Sequence, residues 1–289
     1  MRGFAYHAPT SLTEAVAILN REGDGGKVLA GGTDLLIHVK ERGFLPRYVV
    51  SLRDIPEVAT VSYDERTGLR IGAAAKLSDV AAHPVVQERY PILTQGASLV
   101  GSLQIQNLGT VVGNLCNAAP SADCAPPLIA LSAAARIVGP GGERTVPLDE
   151  FFVGPGKTVL EPGEIVAEVL APPPAPRSGG NYERYTPRQE MDIAVVGVGS
   201  VVELSAGDRC AAARICLGAV APTPIRATDA EQALIGQDLS PDLIEQAATK
   251  AAELARPITD QRGTATYRTH LVKVLTKRTL TAAWQDARG

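Results

Sequence analysis

Three segments of the 289-residue chain combine residue types and spacings that suit chemistry. The first is Lys27-Val-Leu-Ala-Gly-Gly-Thr-Asp-Leu35. A short apolar run ends in Gly31 and Gly32, and Thr33 or Asp34 then opens a helix. Adjacent glycines let the backbone turn so that successive N–H groups converge. With a helix N-terminus behind them they form a nest for an anion such as phosphate. A tight strand–helix turn with no ligand uses the same residues, and for a lone Gly-Gly-Thr it is the commoner outcome. The spacing is not G-x-G-x-x-G, which argues against a Rossmann fingerprint.

The second segment runs from Asn107-Leu-Gly-Thr-Val-Val-Gly-Asn-Leu-Cys to Ala119-Pro-Ser-Ala-Asp123. Small, amide and hydroxyl residues alternate with apolar ones over a long Gly-rich connection from residue 101. Such a loop has free backbone donors and little bulk, so a flat polar ligand can lie against it. The alternative is a plain connection between elements, but long structureless loops are uncommon unless functional. The third segment, Tyr182-Glu-Arg-Tyr-Thr-Pro-Arg-Gln-Glu-Met-Asp-Ile-Ala194, is charged and aromatic and leads into an apolar run. On spacing alone it is equally a solvated edge strand. One decoy is dismissed: Gly154-Pro-Gly-Lys-Thr158 contains the GKT of a phosphate-binding loop, but Phe151 stands where that motif needs its first glycine.

The elements around these segments follow from periodicity and turn residues. Thr10 or Ser11 caps a helix with Leu12, Val16 and Leu19 on one stripe. Residues 27–30 and 48–52 read as strands flanking a helix over 35–43, a small βαβ-like unit. From about residue 60 the pattern changes. A strand over 69–73 and helices over 76–82 and 84–99 precede the Gly-rich segment. A short helix (126–132), strands near 135–138 and 143–147, and a run over 164–172 complete a second unit. Residues 172–180, Pro-rich then Gly-rich, read as a linker, stiff first and flexible last. Beyond it, strands over 194–204 and 209–220 are followed by helices over 227–235, 241–255 and 264–283.

Composition narrows the function classes. The 28 Lys and Arg against 31 Asp and Glu leave a formal net charge of −3, and aromatic residues are 4% of the chain. Neither a basic face nor stacking platforms for nucleic acid are expected. No apolar run approaches the ~20 residues that span a bilayer, and the N-terminus lacks a secretory apolar core. A cytoplasmic protein with no transmembrane segment is expected. Cys116, Cys124, Cys210 and Cys216 are at neither zinc nor iron–sulfur spacings, and the four His are scattered. No metal is expected on this chain.

Taken together, in this order and spacing, the segments resemble the FAD-binding medium subunit of the molybdenum hydroxylases. That group includes aerobic carbon monoxide dehydrogenase, the bacterial xanthine dehydrogenases and related dehydrogenases of aromatic and N-heterocyclic compounds. Ala30-Gly-Gly-Thr-Asp34 resembles the first FAD motif, and Thr110-Val-Val-Gly-Asn114 with Ala119-Pro-Ser-Ala-Asp123 the second. Arg188-x-x-x-Asp192-Ile-Ala194 resembles the start of the C-terminal domain. Asp260-x-Arg262-Gly263 with Tyr267-Arg268 resembles its last helix. The likeness covers essentially the whole chain.

The resemblance implies an α+β protein: a two-subdomain FAD-binding fold of the vanillyl-alcohol-oxidase type, then a C-terminal α+β domain with strands before helices. It implies domains over residues 1–176 (subdomains about 1–58 and 59–176) and 177–289. It implies that Val28, Leu29, Ala30, Gly31, Gly32, Thr33, Asp34 and Leu35 wrap the FAD pyrophosphate. Thr110, Gly113, Asn114 and Asp123 would hold the second side of the dinucleotide, Asp123 at the ribose or adenosine. Cys116 and Ala119 would lie close to the cofactor, Ile165 or Val166 at the adenine. Val100, Gly101, Asp192 and Ile193 would flank the isoalloxazine ring, with Arg184 near the flavin. Two departures stand out: Val112-Gly113 replaces the usual pair of glycines before Asn114, and Arg184 stands where Lys is common. No catalytic acid or base is expected here. The implied partners are a large molybdopterin-binding subunit and a small [2Fe-2S] subunit, in a dimer of heterotrimers. The flavin would pass electrons to NAD+, O2 or a quinone. A self-sufficient flavin oxidase and a non-enzymatic nucleotide-binding assembly module are the alternatives from other classes.

Overall fold

The computed structural model describes residues 3–41, 43–188 and 191–289. Arg42, at the end of the helix expected over 35–43, and residues 189–190 of the third segment lie outside the described residues. The chain builds three sheets in succession, each with its own helices, and a small two-stranded ribbon.

The first unit comprises β1 (Ala5–His7), α1 (Leu12–Glu22), β2 (Gly26–Leu29), α2 (Leu35–Glu41) and β3 (Tyr48–Ser51). Its strands pair in parallel in the order β1-β3-β2. Parallel pairing forces a crossover between β2 and β3, and the Gly-Gly-Thr-Asp turn is the near end of that crossover. Ser11 caps α1 by accepting the Glu14 N–H at 3.2 Å, and the Glu14 carboxylate takes the Thr10 N–H at 2.9 Å. Ala15, Ile18 and Leu19 form the buried face of α1.

The second unit comprises β4 (Val61–Asp64), β5 (Gly68–Gly72), α3 (Leu77–Ala82), α4 (Pro84–Arg89), α5 (Pro91–Ser98), α6 (Leu103–Gln106), α7 (Val111–Cys116) and α8 (Ala125–Ala130). β6 (Ala134–Gly139), β7 (Gly142–Pro147), β8 (Phe152–Gly154), β9 (Lys157–Thr158) and β10 (Ile165–Ala171) complete it. Its antiparallel sheet runs β4-β5-β10-β6-β7. β10, central and buried along nearly its whole length, shares one core with α1, β3 and α8. The single helix expected over 84–99 is two: Tyr90 leaves helical geometry at φ −132° before Pro91, which bars its predecessor from the α region. The Gly-rich stretch after residue 100 is not a structureless loop either, because α6 and α7 form within it.

The third unit comprises β11 (Ser178–Tyr185), β12 (Val196–Leu204), β13 (Cys210–Gly218), β14 (Ile225–Arg226), α9 (Thr228–Leu234), α10 (Pro241–Leu254) and α11 (Ala265–Arg288). Its antiparallel sheet keeps sequence order, β11-β12-β13-β14. The flexible half of the expected linker is instead the start of β11. Gly179 is required for packing, not freedom: a Cβ there would lie 2.2 Å from the Ala283 carbonyl oxygen of α11. α11 covers one face of the sheet, and α5 and α8 of the second unit cover the other. β12 is therefore buried on both sides and reads as a continuous apolar run. Gly199 and Gly218 let Pro126 approach, with Cβ positions 2.9 Å from its carbonyl and 2.8 Å from its Cγ. Among the described residues, no helix is long and apolar enough to cross a membrane.

The two long helices of this unit are tied at the surface. Glu245 of α10 accepts Lys273 and Lys277 of α11, each at 2.8 Å, and these ammonium groups hold its carboxyl down at about 2. A depressed carboxyl stabilises the fold above its ordinary value near 4.5, and that contribution is lost as pH falls through about 2. Glu245→Gln is therefore expected to lower the urea midpoint at pH 6, with the difference shrinking towards pH 2. A difference that persists unchanged to pH 2 would contradict the assignment.

Candidate functional site

The Gly-Gly turn sits where β2 ends at Leu29 and α2 begins at Leu35. The Arg53 side chain, just beyond β3, pins it from behind: Nε donates to the Ala30 carbonyl at 3.0 Å and Nη2 to the Gly31 carbonyl at 2.8 Å. With those carbonyls turned towards Arg53, the N–H groups of residues 31–34 are left without a protein acceptor among the described residues. Gly32 has φ +77°, in the left-handed region. A Cβ on Gly31 would lie 2.3 Å from the Leu108 carbonyl oxygen and 2.6 Å from Gly109 Cα. The turn therefore touches the second segment backbone to backbone.

That second segment supplies another set of donors. Thr110 caps α7, its Oγ1 accepting the Gly113 N–H at 2.9 Å. An antiparallel bridge pairs Lys76 with Thr110 at this cap, and the Val112 N–H finds no protein acceptor among the described residues. A Cβ on Gly113 would lie 2.9 Å from Thr110 Oγ1, so the cap and the glycine are one device. The Leu77 N–H donates to the Gly109 carbonyl at 2.9 Å and fixes the approach to this cap. Asn114 points back into the protein: its Oδ1 accepts the Cys124 N–H at 3.2 Å and closes the loop between them. Ala119 begins the tight part of that loop, where its carbonyl accepts the Ala122 N–H at 3.0 Å. Gly156 and Ala219 grip the same loop by donating to the Ala118 and Pro120 carbonyls at 2.9 and 2.7 Å.

Cys116 is half-buried at the end of α7. Burial pushes its thiol up to about 12, so it is a neutral small side chain rather than a nucleophile. Val100 and Gly101 lie just before α6, and Gly101 has φ +59°. Gln106 holds this corner, donating to the Ser98 and Val100 carbonyls at 2.8 and 3.1 Å. Ile165 and Val166 start β10 and are packed into the core that the first two units share.

Asp123 and Arg184 meet. The Arg184 Nη1 donates to Asp123 Oδ2 at 2.5 Å, and the Tyr182 hydroxyl donates to Asp123 Oδ1 at 2.7 Å. The two charged side chains are only 8% and 5% exposed. Burial pushes the Asp123 carboxyl up to about 6, against the opposing pull of Arg184 and Tyr182. Because the two residues touch, they cannot occupy opposite ends of one extended dinucleotide. Either both serve one end, or one of them serves only through the other.

Asp192 and Ile193 sit between β11 and β12. The Asp192 carboxylate accepts the Ile193 and Arg188 N–H groups at 2.8 and 3.0 Å. The Arg188 guanidinium holds it below the usual carboxylate range. Ile193 and its neighbour Met191 (φ +50°) are 51% and 61% exposed. Among the described residues here, the Asp192 side chain is only 4% exposed, while Met191 and Ile193 present apolar side chains. Arg53 and Tyr182 shape this candidate site without standing among the cofactor-contacting residues expected from sequence, Tyr182 appearing only as the start of the third segment. Tyr182 was findable, since it stands two places before Arg184 on one strand and so shares its face. Arg53 follows a strand with no motif around it and gives no signal.

The arrangement suits a dinucleotide. Two donor-rich turns in backbone contact can hold a pyrophosphate, and only glycine leaves room for the approach. Arg184 also retains Nε and Nη2 without a protein acceptor among the described residues, donors for an anionic or carbonyl-bearing ligand. FAD meets both requirements. Among the described residues, no group of three or more His, Cys, Asp or Glu could hold a metal ion.

Known proteins agree. Residues 2–174 match the family described as the FAD-binding domain in molybdopterin dehydrogenase. Residues 181–283 match the CO dehydrogenase flavoprotein C-terminal domain. The carbon monoxide dehydrogenase medium chain of Hydrogenophaga pseudoflava is 36% identical, over 97% of this chain and 97% of its own. A putative xanthine dehydrogenase FAD-binding subunit of Escherichia coli is 32% identical, over 99% of this chain and 97% of its own. In solved structures, the fold matches carbon monoxide dehydrogenase from Hydrogenophaga pseudoflava with a TM-score of 0.94 at 37% identity, covering 99% of this chain and 98% of that one. Quinoline 2-oxidoreductase from Pseudomonas putida 86 matches with a TM-score of 0.91 at 30% identity, covering 100% and 99%. With both family domains in order and relatives matched end to end, the chain belongs to the FAD-binding subunits of the molybdenum hydroxylase family, oxidoreductases of the carbon monoxide and xanthine dehydrogenase type.

Proposed function

We propose that this chain binds one FAD between its first two units and carries electrons within a larger complex. Residues 1–176 (subdomains about 1–58 and 59–176) form the cradle, and residues 177–289 cover it. The N–H groups of the Gly31–Gly32 turn and of the Thr110 cap hold the pyrophosphate. Ile165 and Val166 lie towards the adenine, and Val100, Gly101 and Ile193 towards the ring. Asp123 and Arg184 act together at one end of the cofactor. The observation that carries this reading is the backbone contact between Gly31 and Leu108, which brings backbone donors of both turns, without a protein acceptor among the described residues, side by side.

When bound, FAD supplies conversion between one-electron and two-electron transfer. The residues on this chain bind and orient; none is placed as a general acid or base. A large molybdopterin-binding subunit oxidises the organic substrate, and a small [2Fe-2S] subunit delivers the electrons. NAD+, O2 or a quinone takes them away. Relatives named as medium chains support a complex with larger and smaller partners, here a cytoplasmic dimer of heterotrimers. The test is purification of the native complex with a count of FAD, iron and molybdenum, beside a visible spectrum of the isolated chain with added FAD. Expected are flavin bands on this chain, with iron and molybdenum confined to the co-purifying subunits. A chain that takes up no FAD in either setting would overturn the proposal.

A further inference from the structure

Tyr182 belongs to none of the glycine-rich turns, yet the buried ion pair depends on it. Its hydroxyl occupies Asp123 Oδ1, which leaves Oδ2 for Arg184. A carboxylate held at only one oxygen can swing about its terminal torsion; held at both, it keeps one orientation. Tyr182 is itself fixed. Its N–H donates to Gln95 Oε1 of α5 at 2.7 Å, and its ring packs with Ile92, Ala130 and Val201. On the neighbouring strand Gly197 makes room, since a Cβ there would lie 2.7 Å from the Tyr182 hydroxyl oxygen. Tyr182 and Arg184 also share one face of β11, so one rigid strand sets the position of both.

We infer that Tyr182 is a positioning residue: through Asp123 it orients the Arg184 guanidinium so that its Nε and Nη2, without a protein acceptor among the described residues, donate to acceptor atoms of bound FAD. The inference rests on the FAD reading above and adds a residue that acts without touching the cofactor. The groups facing Asp123 are Arg184 and Tyr182 from β11 and the Cys124 thiol beside it in the loop. Arg184 is oriented only while Asp123 is ionised. FAD affinity should therefore fall as pH drops through about 6, the value to which burial brings that carboxyl. Removing the tyrosine hydroxyl withdraws a hydrogen bond from the charged form and moves this fall to higher pH.

The experiment titrates FAD into the full-length chain from pH 5 to 8 and follows flavin fluorescence, with a thermal melt for each variant. Tyr182→Phe is expected to weaken FAD binding about tenfold at pH 7, the scale of one hydrogen bond to a charged group. It should also raise the midpoint of the pH profile by about one unit, with Asp123→Asn flattening the profile over the same range. Either an unchanged affinity or an unmoved midpoint in Tyr182→Phe overturns the inference. So does a profile in Asp123→Asn that keeps its slope, which serves as the test if the first variant does not fold. A parent chain that binds no FAD at any pH overturns the cofactor reading instead.

Discussion

Gly31→Val and Gly32→Val chains are expected to fold but to bind FAD at least about 100-fold more weakly than the parent. The two substitutions fail for different reasons. At Gly31 the new Cβ would lie 2.3 Å from a backbone oxygen, Leu108 O, and 2.6 Å from Gly109 Cα. Backbone cannot rotate away as a side-chain tip can, so the Thr110 cap must move off the first turn. At Gly32 the nearest atom is the flexible tip of Leu29 at 2.6 Å, and space is the lesser problem. The φ of +77° is the greater one, because a β-branched residue in the left-handed region costs about 1–3 kcal/mol and drives the turn elsewhere. Either change separates the two sets of donors. Losing two hydrogen bonds to a charged phosphate, at about 1.5–3 kcal/mol each, accounts for the 100-fold. Gly141→Ala is the control, since a Cβ there meets nothing within 4 Å. Flavin content on purification and a titration of the resolved protein check the prediction. Full flavin retention in Gly31→Val would remove the first turn from the cofactor site.

Why these turns were legible from sequence, and the third segment less so, comes down to range. The Gly31–Gly32 turn and the Thr110 cap are local devices, since each is complete within five residues and written in Gly, Thr and Asn. The apolar runs at 196–204 and 210–218 are likewise marked locally, by the Ser-Ala-Gly-Asp turn between them. Three features were harder to read, two of them because distant chain decides them. Gly179 and Gly180 read as a flexible linker, yet α11, about a hundred residues later, packs on Gly179. The split at Tyr90 was marked by Pro91, but a continuous helical pattern on both sides concealed it. The partners of Asp123 lie 59 and 61 residues away, so no spacing could join them. The resemblance to a family placed Asp123 and Arg184 near the cofactor without showing that they touch. That contact changes what each can do, because a carboxylate engaged by Arg and Tyr has less to offer a ribose than a free one.

Arg184→Met tests that contact through stability rather than binding. It leaves Asp123 buried and ionised with only the Tyr182 hydroxyl, and removing one partner of a buried ion pair costs about 3–5 kcal/mol. The loss should depend on pH with a definite sign. In the parent, burial raises the Asp123 carboxyl from 3.8 to about 6, so folding takes up a proton between those values. The contribution of such a group is fully present below 3.8 and is lost as pH rises through the folded value. Without Arg184 the opposing pull is gone and the folded value rises further. The penalty of Arg184→Met should then be larger at pH 8 than at pH 5, where Asp123 is protonated and needs no cation. Asp123→Asn in the same chain should recover most of the loss at pH 8, because an amide is neutral and its carbonyl still accepts from Tyr182. Urea melts of the parent, both single variants and the double variant at the two pH values yield the coupling energy directly. A defect equal at both pH values, or one that Asp123→Asn does not relieve, would mean that Arg184 stabilises the fold by packing alone. The ion pair would then not be what joins β11 to the loop before α8.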